Sequence, residues 1–210
     1  MGEPLWRTRS NHSLGEYLPI VLVKEYYWCP YYTYMRLTLW QHKPTESMEY
    51  GRLEQAYHRE DMINLVEKTI GDIEEAIWEA PVASKKLKLA GRIDLLVLQT
   101  SGRAVVVDAK AYPSTRKLKK HQGIQAQLAA YSIAVEETYH KPATTACIYI
   151  TEKNKLHCIN ITPRHRRLVE YAAKRLWEIK KTGKPPREPP PEPWKCSTCP
   201  YRNICYWKKH

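Results

Sequence analysis

The hydrophobic positions change period several times along the chain, and those changes divide it into elements. From 46 to about 78, Leu53, Ala56 and Tyr57 share one face, and Ile63, Val66 and Ile70 recur at helical spacing, so this stretch is expected to be mostly helix, interrupted at Gly71. Residues 79–98 and 104–111 are rich in Val, Ile and Leu and predict strands. From about 121 to 140, Leu128, Tyr131 and Val135 fall on one side of a second helix. The runs TTACIYIT (144–151) and KLHCINIT (155–162) predict a hairpin around Glu152, Lys153 and Asn154. Thr162 can cap a third helix that starts at Pro163, a residue suited to the first helical position, and ends near Gly183. The Pro-rich run KPPREPPPEP (184–193) predicts an extended connector. Residues 1–45 are aromatic-rich, and Pro30 predicts a helix boundary beside Cys29. The order helix, strands, helix, strands, helix points to an α/β or α+β domain around a mixed sheet. Its parts are an N-terminal segment (1–45), a core (46–183) and a C-terminal segment (184–210).

The stretch GRIDLLVLQTSGRAVVVDAK (91–110) sharpens this picture. If Thr100, Ser101 and Gly102 form a three-residue hairpin loop, Gly102 supplies the left-handed residue such a loop wants. Asp94 then faces Asp108, and Arg92 faces Lys110. Side chains alternate along strands, so these four share one face, while Ile93, Leu95, Val107 and Ala109 point to the other. Two carboxylates about 4.5–5.5 Å apart at Cβ raise each other's pKa or share a cation. Hard divalent ions such as Mg²⁺ take oxygen ligands of this kind. A lysine beside them can stabilise charge developing on a phosphate. The combination fits metal-assisted phosphodiester cleavage.

Charge points the same way. The 210 residues carry a net charge of +12, which favours a polyanionic partner, with nucleic acid ahead of an anionic membrane surface. No apolar run approaches the roughly 20 residues of a membrane span, and the opening residues contain no secretory apolar region. The cytoplasm is therefore the expected compartment. Arg116, Lys117, Lys119 and Lys120 follow the DAK run and are expected to contact DNA phosphates. Arg164, Arg166, Arg167, Lys174 and Arg175 extend the basic character along the last helix.

A reducing compartment turns the six cysteines toward metal binding rather than disulfides. Cys196, Cys199 and Cys205 are clustered, and Cys29 is the candidate fourth ligand. Cys147 and Cys158 alternate with bulky residues in predicted strands and read as buried small hydrophobes. Four thiols of this spacing suit zinc or an iron–sulfur cluster, and spacing alone does not separate the two. Trp28, Tyr31 and Tyr32 are expected to pack around the cluster, with stacking on unpaired bases as the alternative.

GRID followed by VVVDAK resembles the PD-(D/E)XK nuclease signature, and QLAAY (127–131) resembles the Gln-x-x-x-Tyr element of its RecB-like branch. Cys29 together with the three C-terminal cysteines makes the whole similar to the CRISPR-associated RecB-like exonucleases of the fourth numbered Cas family. The iron–sulfur nuclease domain of AddB-type helicase-nucleases is also similar. The resemblance implies a central mixed sheet flanked by helices, with Asp94 and Asp108 as ligands of Mg²⁺ or Mn²⁺ and the Ala109 carbonyl as a possible third. Lys110 would be the catalytic lysine, and Gln127 and Tyr131 would position DNA or active-site groups. Family members often add a ligand from the first helix in a Gly-x-x-x-His arrangement. Here Gly51 is followed by Gln55, which leaves Glu54 or His58 as the candidate. The resemblance also tips the four cysteines toward an iron–sulfur cluster, four-iron ahead of two-iron, with zinc as the alternative. It implies exonuclease action on single-stranded or splayed DNA ends, in preparing spacer precursors for CRISPR adaptation alongside integrase proteins. The rival readings are a repair or recombination nuclease outside CRISPR and a non-catalytic DNA-binding or zinc-clasped module.

Overall fold

The structure is a computed structural model and describes residues 16–39, 59–110, 121–188, 192–205 and 207. In chain order the elements are β1 (Leu18–Pro19), α1 (Val21–Trp28), α2 (Pro30–Leu39), α3 (Arg59–Ile70), β2 (Ile73–Ser84), β3 (Leu89–Gln99) and β4 (Ala104–Lys110). They continue with α4 (Gln122–Tyr139), β5 (Thr145–Ile150), β6 (Lys155–Asn160), α5 (Pro163–Thr182) and the short α6 (Pro193–Ser197). A mixed sheet in the order β1-β3-β4-β5-β6, with β2 also paired to β3, forms the centre. β4 and β5 are parallel, which demands a crossover, and α4 supplies it.

Helices cover both faces of the sheet. On one, α1, α4 and α5 pack over Leu96, Leu98, Ala104, Val106, Ala146 and Ile148. On the other, Met62 and Val66 of α3 cover Leu95, Val97, Val105, Val107, Cys147 and Tyr149. The β4 run AVVVDA is buried throughout, as a strand covered on both faces must be. Against it α4 presents Ala126, Ala129, Ala130 and Ala134, small residues that allow the helix to approach closely.

Two expectations about elements need correction. Trp78 lies in a strand, because α3 ends at Ile70 and Gly71, at φ 75°, turns the chain into β2. Residues 73–78, expected to be helical, are extended because they pair with β3. Residues 79–98 are two strands, because 85–88 form a turn between β2 and β3. Residues 46–58 of the expected helix lie outside the described residues. Elsewhere the expected α4, the β5–β6 hairpin and α5 are present, and the Thr162 N–H donates to His165 Nδ1 (3.2 Å) at the start of α5.

The cysteines of the β5–β6 hairpin also differ from expectation. Cys147 and Cys158 are directly opposed across the antiparallel pair and form a disulfide; Cys147 is buried but Cys158 is exposed. Each residue alone reads as a small hydrophobe, and only the register brings them together.

Candidate active site

The β3–β4 hairpin has the expected register. Leu95 pairs with Val107, Leu96 with Val106, Val97 with Val105 and Leu98 with Ala104. The loop 100–102 closes with the Gly102 N–H donating to the Gln99 carbonyl (2.9 Å), and Gly102 has φ 76°. Asp94 and Asp108 occupy the next position of this register, where the backbone ladder stops. There the Asp94 side chain takes over, its Oδ2 accepting the Ala109 N–H at 2.7 Å. Lys110 Nζ lies 2.7 Å from Asp108 Oδ2. The two acids and the lysine are therefore held together by backbone and side-chain bonds at one end of the hairpin.

Simple alternation fails just here. Ile93 belongs to the core under α1 and α4, not to the opposite core that holds Leu95. The reason lies on β2. Glu79, across from Asp94, has φ 49°; Trp78 before it packs on the α3 side, and Ala80 after it on the other. One residue outside the extended region rotates the side chains that follow it. Arg92 consequently does not face Lys110. It is exposed beside Pro81 and pairs with Glu79 (3.2 Å).

The electrostatics are those of a crowded site. Burial first, and then the Asp108 charge, push the Asp94 carboxyl up from 3.8 to about 6 against the pull of Lys110 and the Ala109 N–H. Asp108 is only 4% exposed. Burial alone would lower Lys110, but Asp108 and Asp94 outweigh it, so the ammonium stays charged. Gln127 and Tyr131, one turn apart on α4, are both buried against this end of the sheet. Burial, then Asp108 and Asp94, push the Tyr131 phenol up, and the Gln127 amide hydrogen-bonds to it. Among the described residues the buried Gln127 Oε1 has no hydrogen-bond partner.

Sequence reasoning missed a second lysine. Lys24 on α1 is half-buried; burial and then Lys110 lower it to about 8, while Asp108, Glu25 and Asp94 oppose the fall. The available signal was a lone Lys-Glu pair inside the otherwise apolar run LPIVLVKEYYW. Its neighbour Glu25 turns away to a buried ion pair with Arg36.

The four candidate cluster cysteines line one pocket with Trp28, Tyr31, Tyr32, Lys195, Tyr201, Arg202 and Trp207. The expected packing of Trp28, Tyr31 and Tyr32 around the cysteines is present, with ring contacts of Tyr32 to Trp28 and Tyr201 at 5.3 Å and of Tyr31 to Trp207 at 5.5 Å. The Tyr32 N–H donates to Cys29 Sγ (3.3 Å). Burial raises the thiols of Cys29 and Cys199, and neighbouring cysteines raise them further. As thiolates these sulfurs would repel one another, and a bound cationic centre would relieve that. Their soft-donor chemistry fits such a group. Among the described residues, however, no three His, Cys, Asp or Glu side chains stand close enough to grip a metal ion in this arrangement.

Glu188 seats the Pro-rich connector. Its carboxylate accepts from the Tyr26 hydroxyl and from Arg175 Nε (2.8 Å), and its backbone carbonyl accepts from the Tyr31 hydroxyl (3.3 Å). This corrects one part of the expected basic surface. Arg175 is committed to Glu188 and Glu178, and Arg166 forms a two-pronged pair with Glu136 (2.7 Å each), whereas Arg164, Arg167 and Lys174 are exposed. Glu54, His58, Arg116, Lys117, Lys119 and Lys120 lie outside the described residues. Among those described, no helix is long and apolar enough to cross a membrane.

Comparison with known proteins bears on this arrangement. Residues 30–206 match the PD-(D/E)XK nuclease superfamily. The CRISPR-associated exonuclease Cas4 of Aeropyrum pernix is 30% identical over 191 residues, covering 89% of this chain and 94% of the relative. That of Thermoproteus tenax is 31% identical over 184 residues, covering 88% and 90%. The solved structure of SSO0001 superposes with a TM-score of 0.56 at 16% identity, over 94% of this chain and 89% of that one, a likeness of fold. A nuclease signature across most of the chain and near-full-length relatives place this protein in the Cas4 family of CRISPR-associated PD-(D/E)XK nucleases.

Proposed function

We propose that this nuclease is a Mg²⁺- or Mn²⁺-dependent DNA exonuclease that trims single-stranded or splayed ends of spacer precursors during CRISPR adaptation, with integrase proteins as partners and a four-cysteine iron–sulfur cluster. The observation that carries the reading is the acid pair, with the lifted Asp94 carboxyl beside the buried Asp108 and Lys110 2.7 Å from the latter. Asp94, Asp108 and the Ala109 carbonyl would hold the ion. When bound, such an ion supplies Lewis acidity at the phosphate and a lowered pKa for an attacking water.

The chain's own groups do the remainder. Lys110 stays protonated and donates to the charge that develops on the phosphate oxygens. Tyr131 stays a phenol, and with Gln127 it offers neutral polar atoms at the wall of the site that can orient a strand without competing for the cation. Cys29, Cys196, Cys199 and Cys205 would hold the cluster, whose part is a clasp between the N-terminal helices and the C-terminal segment. A cross-link spanning so much of the chain removes considerable freedom from the unfolded state.

The test is degradation of oligonucleotides labelled at either end, single- and double-stranded, with Mn²⁺ or Mg²⁺. Progressive shortening that requires the metal and disappears in Asp108→Ala supports the reading, and equal activity in the two proteins refutes the assigned site. An absorption spectrum of anaerobically purified protein tests the cluster. Broad brown absorption that bleaches on reduction supports iron–sulfur, and a colourless metal-bound sample assigns zinc.

A further inference from the structure

We propose that Lys24 is a second cation of the site that contacts a phosphate of the bound DNA strand. The placement follows from how α1 crosses α4. The Ile20 N–H donates to the Ala90 carbonyl (2.9 Å), and its side chain packs at Gly91, where a Cβ would meet Ile20 Cβ at 3.4 Å and the Tyr131 ring at 3.2 Å. Four residues on, the Lys24 carbonyl closes on Gly123, where a Cβ would meet it at 2.9 Å. Gly123, Gln127 and Tyr131 are successive turns of α4. The two helices therefore run past each other with Ile20 beside Tyr131 and Lys24 near Gly123. Residues four apart share a helix face, and helical side chains lean toward the N-terminus. The Lys24 side chain accordingly leans back along α1 toward Gln127, Tyr131 and the acid pair. The charges of Lys110, Asp108 and Asp94 all act on it.

Among the described residues the Lys24 ammonium makes no hydrogen bond or ion pair, although Asp108 is already matched by Lys110 and Asp94 by the Ala109 N–H. A half-buried, unpaired ammonium next to a like charge is unfavourable in the free protein. A nearby buried acceptor, Gln127 Oε1, is also unpartnered. The Lys24 ammonium is the donor that a ligand acceptor would satisfy. A phosphodiester supplies acceptors for the ammonium and a negative charge that offsets Lys110. This rests on the nuclease reading above, and it makes the DNA contact a feature of α1, the helix that ends at Cys29.

The experiment measures binding of a fluorescent single-stranded oligonucleotide in EDTA, so that no cleavage occurs, from about 50 to 200 mM salt. Lys24→Met is expected to weaken binding about tenfold at the low-salt end, the scale of one charge-assisted hydrogen bond. It should also flatten the slope of log K against log salt by about 0.7, the share of one phosphate contact on a single strand. Lys24→Arg should keep the slope. With Mn²⁺, the Lys24→Met protein should show a raised KM and a smaller change in kcat. Melting in EDTA accompanies each measurement, and Lys24→Gln replaces the Met variant if that one melts markedly lower. A folded variant with wild-type affinity and salt slope overturns the proposal, as does a fall in melting temperature with the slope unchanged, which marks a counter-charge only. Wild-type protein that binds the strand but never cuts it overturns the nuclease reading and leaves the Lys24 contact standing.

Discussion

Replacing Asp94 by Asn should stabilise the metal-free protein while abolishing its activity. The Asp94 carboxyl sits at about 6 instead of 3.8 because it is buried and faces Asp108. At about 1.4 kcal/mol per tenfold change in proton affinity, the ionised form costs the fold about 3 kcal/mol at neutral pH. The native state holds its proton more tightly than the unfolded state does. The wild type therefore loses stability as pH rises from about 4 to about 6 and is flat above that window. Asn cannot ionise, and its side-chain oxygen can keep the bond from the Ala109 N–H. The gain is an upper bound, since Lys110 also loses a favourable neighbour. For a chain of this size about 3 kcal/mol corresponds to roughly 6–12 °C in Tm. The assay is thermal or denaturant unfolding in EDTA at pH 4 and pH 8. The advantage of Asp94→Asn should be near zero at pH 4 and largest at pH 8. A variant less stable than wild type at pH 8, or an advantage independent of pH, refutes the reasoning.

The other predictions concern the supports of the two sites. Gly123→Ala drives a Cβ against the Lys24 carbonyl, a backbone atom that cannot swing aside, so α1 must shift on α4; we expect a loss of about 1–3 kcal/mol in chemical denaturation. Glu188→Gln removes the charge that holds Arg175 and Tyr26, which should cost about 1–3 kcal/mol and speed limited proteolysis within 184–207. Arg175 and the Tyr26 hydroxyl hold the Glu188 carboxyl below its usual value against the effect of burial, so this contribution should fade as pH falls through the carboxylate range. Thiol titration of the unfolded, metal-free protein should find four reactive cysteines without reductant and six after reduction, because Cys147 and Cys158 are paired. Breaking that pair with Cys158→Ser should cost about 2–3 kcal/mol, the scale of closing a short loop.

The acid–lysine arrangement was legible because it depends on local pattern. A hairpin loop with one glycine sets a register, and the register puts Asp94 opposite Asp108 with Lys110 two residues on. The Gln127–Tyr131 spacing works the same way on a helix. Family likeness supplied the expected roles of these residues; Cys196, Cys199 and Cys205 stand out by type and spacing, whereas Cys29 meets them only through packing. Properties that arise between segments remote in sequence were not readable. The left-handed residue at Glu79 exchanges the two faces of the sheet, so period-two counting misplaced Ile93 and Arg92. Glu188 binds Tyr26 across 162 positions, and nothing near either residue announces the other. Arg166 and Arg175 belong to a basic stripe in the sequence, but Glu136 and Glu188 neutralise them across the fold. Lys24 joins the site only because a glycine on α4 lets α1 approach. Hydrogen-bond ladders and helical repeats act between neighbours, so the chain's order alone determined the acid–lysine hairpin and the Gln127–Tyr131 spacing. Burial, charge pairing and the choice of which cation stays free depend on which surfaces meet, and only the packed structure decided those.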